Sequence, residues 1–224
     1  MPEVLTVTFV AARHGAEEAW EALRAGHLGA LRLVADEDTA PSPLALFPGA
    51  FNPLHAGHLR IAELASARLD KAPHFEISLR NVDKAPLDLG NARARAAQFE
   101  SLSVSRPLLL TCRPTFLEKA EIFPGSPFIV GLDTIVRIGD PRYYGSPAAR
   151  DRAIARLVDL GATFLVFGRC DAPGRFLTLA DVALPSPLER LCDGVSEREF
   201  RLDLSSTELR ERPKRAGEAT GPEE

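Results

Sequence analysis

From residue 44 onward, short apolar runs alternate with longer amphipathic stretches, and this alternation constrains the fold more than any other feature of the chain. Parallel strands need a crossover of a dozen or more residues between them, usually a helix, so the pattern predicts β-α units feeding a parallel sheet. Residues 44–47 read as the first such strand. A helix is expected to start near Ala56 or Gly57 and run to about Leu69, with Leu59, Ala62, Leu64 and Ala65 facing inward. Residues 74–82 alternate Phe75, Ile77 and Leu79 and read as the second strand. Asp88 caps a helix that carries Ala92, Ala96 and Phe99 at helical spacing, and residues 108–110 form a buried strand. Thr115 with Glu118 is a capping-box pattern opening a short helix before the fourth strand, residues 128–130. Ser146 begins a helix that Gly161 ends, residues 163–167 are the fifth strand, and residues 171–196 are mixed. Ser205-Ser206-Thr207-Glu208 opens a last helix. The expected architecture is α/β, a three-layer α/β/α sandwich with a mostly parallel sheet.

The first forty residues read as strand (4–10), helix (16–25, ended by Gly26) and strand (31–34), with a linker over 36–43. The expected organisation is an extension over 1–43, one domain over 44–212 and a polar, disordered tail over 213–224. A chain of 224 residues with 45% hydrophobic side chains is long enough for one sizeable core. Its formal net charge of −4 argues against a general nucleic-acid binder, since phosphate-backbone affinity needs a basic face, but leaves a local basic pocket open. Three cysteines without C-x-x-C spacing indicate neither a disulfide framework nor a zinc cluster, which fits a reducing cytoplasm. The start carries no basic segment before an apolar stretch, and no apolar run approaches the eighteen or so residues of a membrane span. The expectation is a cytoplasmic protein without membrane or nucleic-acid partners, with homo-oligomerisation open.

In an open parallel sheet ligands bind beyond the carboxyl ends of the strands. The loop Gly49-Ala50-Phe51-Asn52-Pro53-Leu54-His55-Ala56-Gly57-His58 follows the first strand, so it lies at that address. Gly49 and Gly57 keep side chains out of the way, Pro53 stiffens the loop, and the helix beginning near His58 presents free backbone N–H groups to an anion. His55 and His58 then project into a phosphate site. Two imidazoles can donate hydrogen bonds to phosphate oxygens whose charge rises in a pentacoordinate transition state, without exchanging a proton. Two other readings stand beside this one. A His-x-x-His pair can hold a metal, although the zincin pattern is His-Glu-x-x-His with further ligands, and two histidines at a helix start can be plain surface residues.

Residues 49–58 resemble the G-x-F-x-P-x-H-x-G-H signature of the adenylyl- and cytidylyltransferase superfamily, which has a Rossmann-like fold. Ser205-Ser206-Thr207-Glu208-Leu209-Arg210 resembles that superfamily's I-S-S-T-x-I-R segment, with Leu204 and Leu209 in place of the isoleucines. The resemblance covers roughly residues 44–212. It implies that Gly49, Ala50, Phe51, Asn52, His55, Gly57, His58, Ser205, Ser206, Thr207 and Arg210 bind a nucleoside triphosphate, with His55 and His58 catalytic. Asn81-Val82-Asp83-Lys84 ends the second strand where relatives often place a lysine, so Lys84 is a candidate for neutralising transition-state charge, or a solvated lysine. Gly131-Leu132-Asp133 resembles the G-A-D segment of nicotinamide- and nicotinate-nucleotide adenylyltransferases, which makes Asp133 a candidate acceptor contact; it can equally cap a helix. Arg93, with Arg95, is a further candidate for the acceptor's anion or else part of a charged face.

The resemblance implies adenylyl transfer from ATP, with Mg2+ carried mainly by the phosphates, to a mononucleotide-like phosphorylated acceptor, releasing pyrophosphate. Cytidylyl transfer from CTP to an alcohol phosphate is the alternative, and a catalytically silent nucleotide-binding protein is a third reading. The sequence departs from the pyridine-nucleotide enzymes at one point. They usually follow the G-A-D segment with a stacking tryptophan, whereas Trp20 is the single tryptophan here and Tyr143 or Tyr144 is left as the candidate ring. Residues 1–43 are read either as a remnant of an attached domain or as an added edge of the sheet.

Overall fold

The computed structural model describes residues 16–34, 43–80, 82, 85–100, 102, 107–171 and 174–201. In chain order the elements are α1 (Ala16–Arg24), β1 (Ala30–Val34), β2 (Ala45–Pro48), α2 (Ala56–Leu69), β3 (Pro73–Ser78), α3 (Leu89–Glu100) and β4 (Leu108–Thr111). They continue with α4 (Phe116–Ile122), β5 (Pro127–Gly131), α5 (Leu132–Gly139), α6 (Pro147–Asp159) and β6 (Thr163–Phe167). A short hairpin, β7 (Arg169–Cys170) with β8 (Phe176–Leu177), then leads to α7 (Ser186–Glu189) and β9 (Cys192–Val195).

Among the described residues seven strands form one sheet in the order β1-β4-β3-β2-β5-β6-β9. All neighbours from β4 to β9 run parallel, while β1 pairs antiparallel with β4. Counted among the parallel strands alone, the spatial order is third, second, first, fourth, fifth, sixth, the arrangement of a Rossmann sheet. The described part of the N-terminal segment is therefore an added edge: β1 extends the sheet, and α1 buries Trp20 and Leu23 beside it.

Successive strand residues point to opposite faces, and both faces are covered. Phe47, Phe75, Ile77, Leu108, Leu110 and Phe167 join Trp20 and Leu23 of α1, Ala62 and Ala65 of α2, and Ala92, Ala96 and Phe99 of α3. Leu46, Leu109, Phe128, Val130, Phe164 and Val166 meet Ala120 and Ile122 of α4, Ile135 and Ile138 of α5, Ile154 and Leu157 of α6, and Leu188 of α7. This is the expected three-layer sandwich. The caps are where the sequence places them. Asp88 accepts from the Asn91 amide at 2.8 Å, Thr115 and Glu118 form the capping box of α4, and Ser146 accepts from Ala149 at 3.2 Å. Gly161, at φ +68°, ends α6 in the left-handed conformation that disfavours any residue with a Cβ.

Two expectations need correction. The second strand stops at Ser78 rather than reaching Val82, because Ser78 Oγ donates to the Arg80 carbonyl at 2.6 Å and the chain turns there. Within the region read as mixed lies the sixth parallel strand of the described residues, β9, which follows β6 at the end of the described sheet. The readings for residues 4–10 and 36–42, the helix at 205–208 and the tail at 213–224 fall outside the described residues. Among the described residues no helix is long and apolar enough to cross a membrane.

Candidate functional site

β2 and β5 are sheet neighbours, paired through Leu46 and Phe128, yet the chain leaves them toward opposite sides of the sheet. In open α/β sheets the usual ligand position is beyond the carboxyl ends of the strands at such a switch point. The loop after β2 and Gly131, the last residue of β5 and the N-cap of α5, both lie at this switch point.

The loop begins as a continuation of the sheet, with the Gly49 amide donating to the Glu76 carbonyl at 2.9 Å. Glu76 is itself anchored below. Its carboxylate, 1% exposed, takes hydrogen bonds from the Lys119 ammonium at 2.8 Å and the Thr111 hydroxyl, and Lys119 also donates to the Arg113 carbonyl at 2.6 Å. Phe51 then adopts φ +44° and turns its ring into the core, where it is 1% exposed against Phe47, Phe75 and Phe99. This corrects the reading of two residues. A Cβ on Gly49 would stand 2.5 Å from the Phe51 ring, so the glycine makes room for that ring rather than for a ligand. Phe51 offers the site only its backbone. Two α3 side chains hold the loop from outside: Arg95 donates to the Ala50 carbonyl at 2.9 Å, and the Gln98 amide bridges the Phe51 carbonyl and the Leu54 amide.

α2 starts at N-cap His55. His58, at the third helical position, accepts the His55 amide on Nδ1 at 3.3 Å, which is the part a Glu or Gln plays in an ordinary capping box. The His58 amide in turn donates to the His55 carbonyl at 2.9 Å, so the N–H groups at the very tip of the helix are those of Ala56 and Gly57. The two imidazole rings stack with centroids 3.7 Å apart, and His58 lies edge-on to Phe51 at 5.0 Å. Burial and the neighbouring His55 push the His58 pKa down to about 3, and burial lowers His55 as well. Both rings are therefore neutral at physiological pH. With Nδ1 accepting, the proton of His58 sits on Nε2, which makes that atom a hydrogen-bond donor without a positive charge.

The same shifts make stability pH-dependent. His74, a buried residue of β3 near Arg32, is pushed down to about 4 by burial first and by the arginine second. A histidine with a depressed folded pKa binds its proton more readily in the unfolded chain, so its contribution is complete above the unfolded value near 6.5 and lost as pH falls toward 3 to 4. The urea midpoint is expected to drop between pH 7 and pH 5, with a shallower drop in a His58→Asn/His74→Asn variant. A midpoint that is flat or rises on acidification contradicts these burial effects.

The remaining candidates are distributed as follows. Ala50 and Asn52 are exposed, and Gly57 is buried in the first turn of α2. Asp133 follows Gly131 in the first turn of α5 and does not cap it; its carboxylate pairs with Arg169, which follows β6. Gly131 has open space around the position of a Cβ. Arg93 is not brought to the loop: its guanidinium faces Glu17 of α1 at 3.8 Å, because two residues along a helix turn it about 200° from Arg95. Tyr144 is half-buried and donates to the Ile138 carbonyl at 3.0 Å, and Tyr143 is exposed on the turn after α5. Lys84, Ser205, Ser206, Thr207 and Arg210 lie outside the described residues. The sequence reading missed Gln98, the Glu76–Lys119 pair and Arg169. Of these only Lys119 carried a signal, as a lysine placed inside a short capped helix.

Among the described residues no three His, Cys, Asp or Glu side chains gather as a metal cage. No curated protein matches the chain. A family model described as cytidylyltransferase-like matches residues 46–212, a span that runs from β2 through the histidine loop and includes the Ser-Ser-Thr segment. The chain belongs to the cytidylyltransferase-like family, and with it to the nucleotidyltransferases that carry a His-x-Gly-His signature.

Proposed function

We propose that the chain transfers the adenylyl group of ATP to a mononucleotide-like phosphate acceptor of the nicotinamide or nicotinate mononucleotide type, releasing pyrophosphate. The observation that carries this reading is the stacked, neutral His55–His58 pair at the tip of α2, beside the switch point of the sheet. A phosphate oxygen of the acceptor attacks the α-phosphorus in line, and the bond to the bridging α–β oxygen breaks as pyrophosphate leaves. Charge grows on the equatorial oxygens in between. The His58 Nε2–H, an N–H of His55 and the amides at the tip of α2 meet that charge with fixed dipoles, so no covalent intermediate and no proton transfer through histidine is needed. Magnesium travels with the triphosphate and offsets its charge through phosphate oxygens. Lys84, Ser205, Ser206, Thr207 and Arg210 are assigned to the triphosphate on this reading. Asp133 is assigned to the acceptor side, and Arg93 joins it only by leaving Glu17.

A second reading keeps the chemistry and changes the substrates to CTP and an alcohol phosphate. It is favoured by the description of the matching family. Melting the protein with Mg-ATP and with Mg-CTP separates the two, because a ligand bound only by the native state raises Tm; a hundredfold excess over Kd adds about 2.7 kcal/mol. The adenylyl reading expects the larger rise with ATP, and pyrophosphate from ATP with one of the two pyridine mononucleotides. A larger rise with CTP and no pyrophosphate from either mononucleotide rejects it.

A further inference from the structure

The stretch from Ala50 to Leu54 lies between the end of β2 and the start of α2, outside both elements. Phe51 sits at φ +44° with its ring anchored in the core, and Leu54 immediately precedes N-cap His55. Two backbone groups of this stretch are bonded by one side chain from elsewhere. Gln98 Oε1 accepts from the Leu54 amide at 2.8 Å, and Gln98 Nε2 donates to the Phe51 carbonyl at 3.1 Å. The partners fix the orientation of the amide, since a flip would set N–H against N–H and oxygen against oxygen. One turn earlier Arg95 donates to the Ala50 carbonyl at 2.9 Å, so α3 grips the loop at three points.

We infer that Gln98 is a positioning residue: its amide fixes the approach of the loop to His55 and thereby the distance from the His55–His58 pair to the reacting phosphate. The inference rests on the proposed nucleotidyl transfer. A group that touches no substrate and orients the groups that do acts on turnover more than on binding, since a misplacement of about 1 Å is enough to cost on the order of a hundredfold.

Two substitutions separate this from a merely structural part. Gln98→Leu removes both bonds. Gln98→Glu is nearly isosteric and keeps an acceptor for Leu54, but when ionised it has no hydrogen for the Phe51 carbonyl; when protonated it regains one. In the full-length chain, Gln98→Leu is expected to lower kcat by about 10- to 100-fold with KM for the nucleotide within about threefold. The kcat of Gln98→Glu relative to wild type is expected to climb as pH falls from 8 toward 5, a recovery that Gln98→Leu lacks. A kcat within twofold of wild type in Gln98→Leu, a loss confined to KM, or equal pH profiles for the two variants would overturn the inference. Hydrogen exchange at the Leu54 amide is read in parallel and does not depend on turnover. Faster exchange in Gln98→Leu is required, and unchanged exchange refutes the clamp. A wild type inactive on every donor and acceptor refutes instead the transfer reading on which the positioning role depends.

Discussion

His58→Ala is expected to reduce kcat by about 10²- to 10³-fold, about 2.7–4 kcal/mol of transition-state stabilisation, while nucleotide binding changes little. The expectation follows from the charge state of the ring. Held neutral by burial and by His55, with Nδ1 accepting the His55 amide, His58 has one donor, Nε2–H. A neutral donor gains little against a ground-state phosphate compared with one whose charge is rising, so its loss falls on turnover. The ring also packs against Phe51 and Phe47, so truncation leaves a small void. Circular dichroism, the melting curve and nucleotide affinity are therefore measured alongside turnover. An intact fold with kcat within threefold of wild type would remove His58 from the chemistry. His58→Asn, which keeps an N–H of shorter reach, is expected to fall between the two.

The largest expected effect on stability is at the base of the same loop. Lys119→Met strips the buried Glu76 carboxylate of its cation and leaves it the Thr111 hydroxyl, with the pair at 4% and 1% side-chain exposure. Removing one partner of a buried ion pair costs about 3–5 kcal/mol, because the remaining charge is neither solvated nor paired. For a chain of this size that corresponds to a fall in Tm of about 6–20 °C. The penalty belongs to the orphaned charge, so a Glu76→Leu/Lys119→Met double variant is expected to recover at least half of it. Urea unfolding of both variants checks this. Additive losses in the double variant would show that the pair contributes net stability instead of merely avoiding an unpaired charge. Gly49 hangs from the Glu76 carbonyl, so Lys119→Met is also expected to loosen the loop it supports.

How much of this was legible beforehand depended on whether the signal was local. Strands β2, β4, β5 and β6 are short apolar runs buried on both faces, and the caps at Asp88, Thr115 and Ser146 lie within three residues of the amides they bind. Such features are written in consecutive residues. The alternation of Phe75, Ile77 and Leu79 marks β3 but not its end, because the turn that Ser78 makes onto the Arg80 carbonyl leaves no mark in that pattern, nor does the alternation tell how its polar positions, His74 and Glu76, are placed. Both are buried, and Glu76 is tolerated there by Lys119, a residue 43 positions away. β9, Cys-Asp-Gly-Val, carries almost no strand signal, since a strand paired on one side among the described residues needs no continuous apolar run. In the loop, the histidines and their spacing were legible, whereas the groups that hold the loop were not. Gln98 on α3 looks like a surface residue until the fold brings it to peptide groups 44 and 47 positions away. Gly49 was visible as a glycine but not for its reason, the ring of Phe51 folded back against it.

The central claim is that this chain moves a nucleotidyl group, and following the individual phosphates tests it most directly. The protein is incubated with magnesium and ATP labelled at the α- or the γ-phosphate, together with nicotinamide or nicotinate mononucleotide, and in parallel with labelled CTP and an alcohol phosphate. The α-label is expected to join the acceptor while the γ-label appears in pyrophosphate, in equal amounts, and His58→Ala is expected to slow both together. A γ-label recovered on the acceptor or as inorganic phosphate, or no transfer from either nucleotide to any of these acceptors, would contradict the claim.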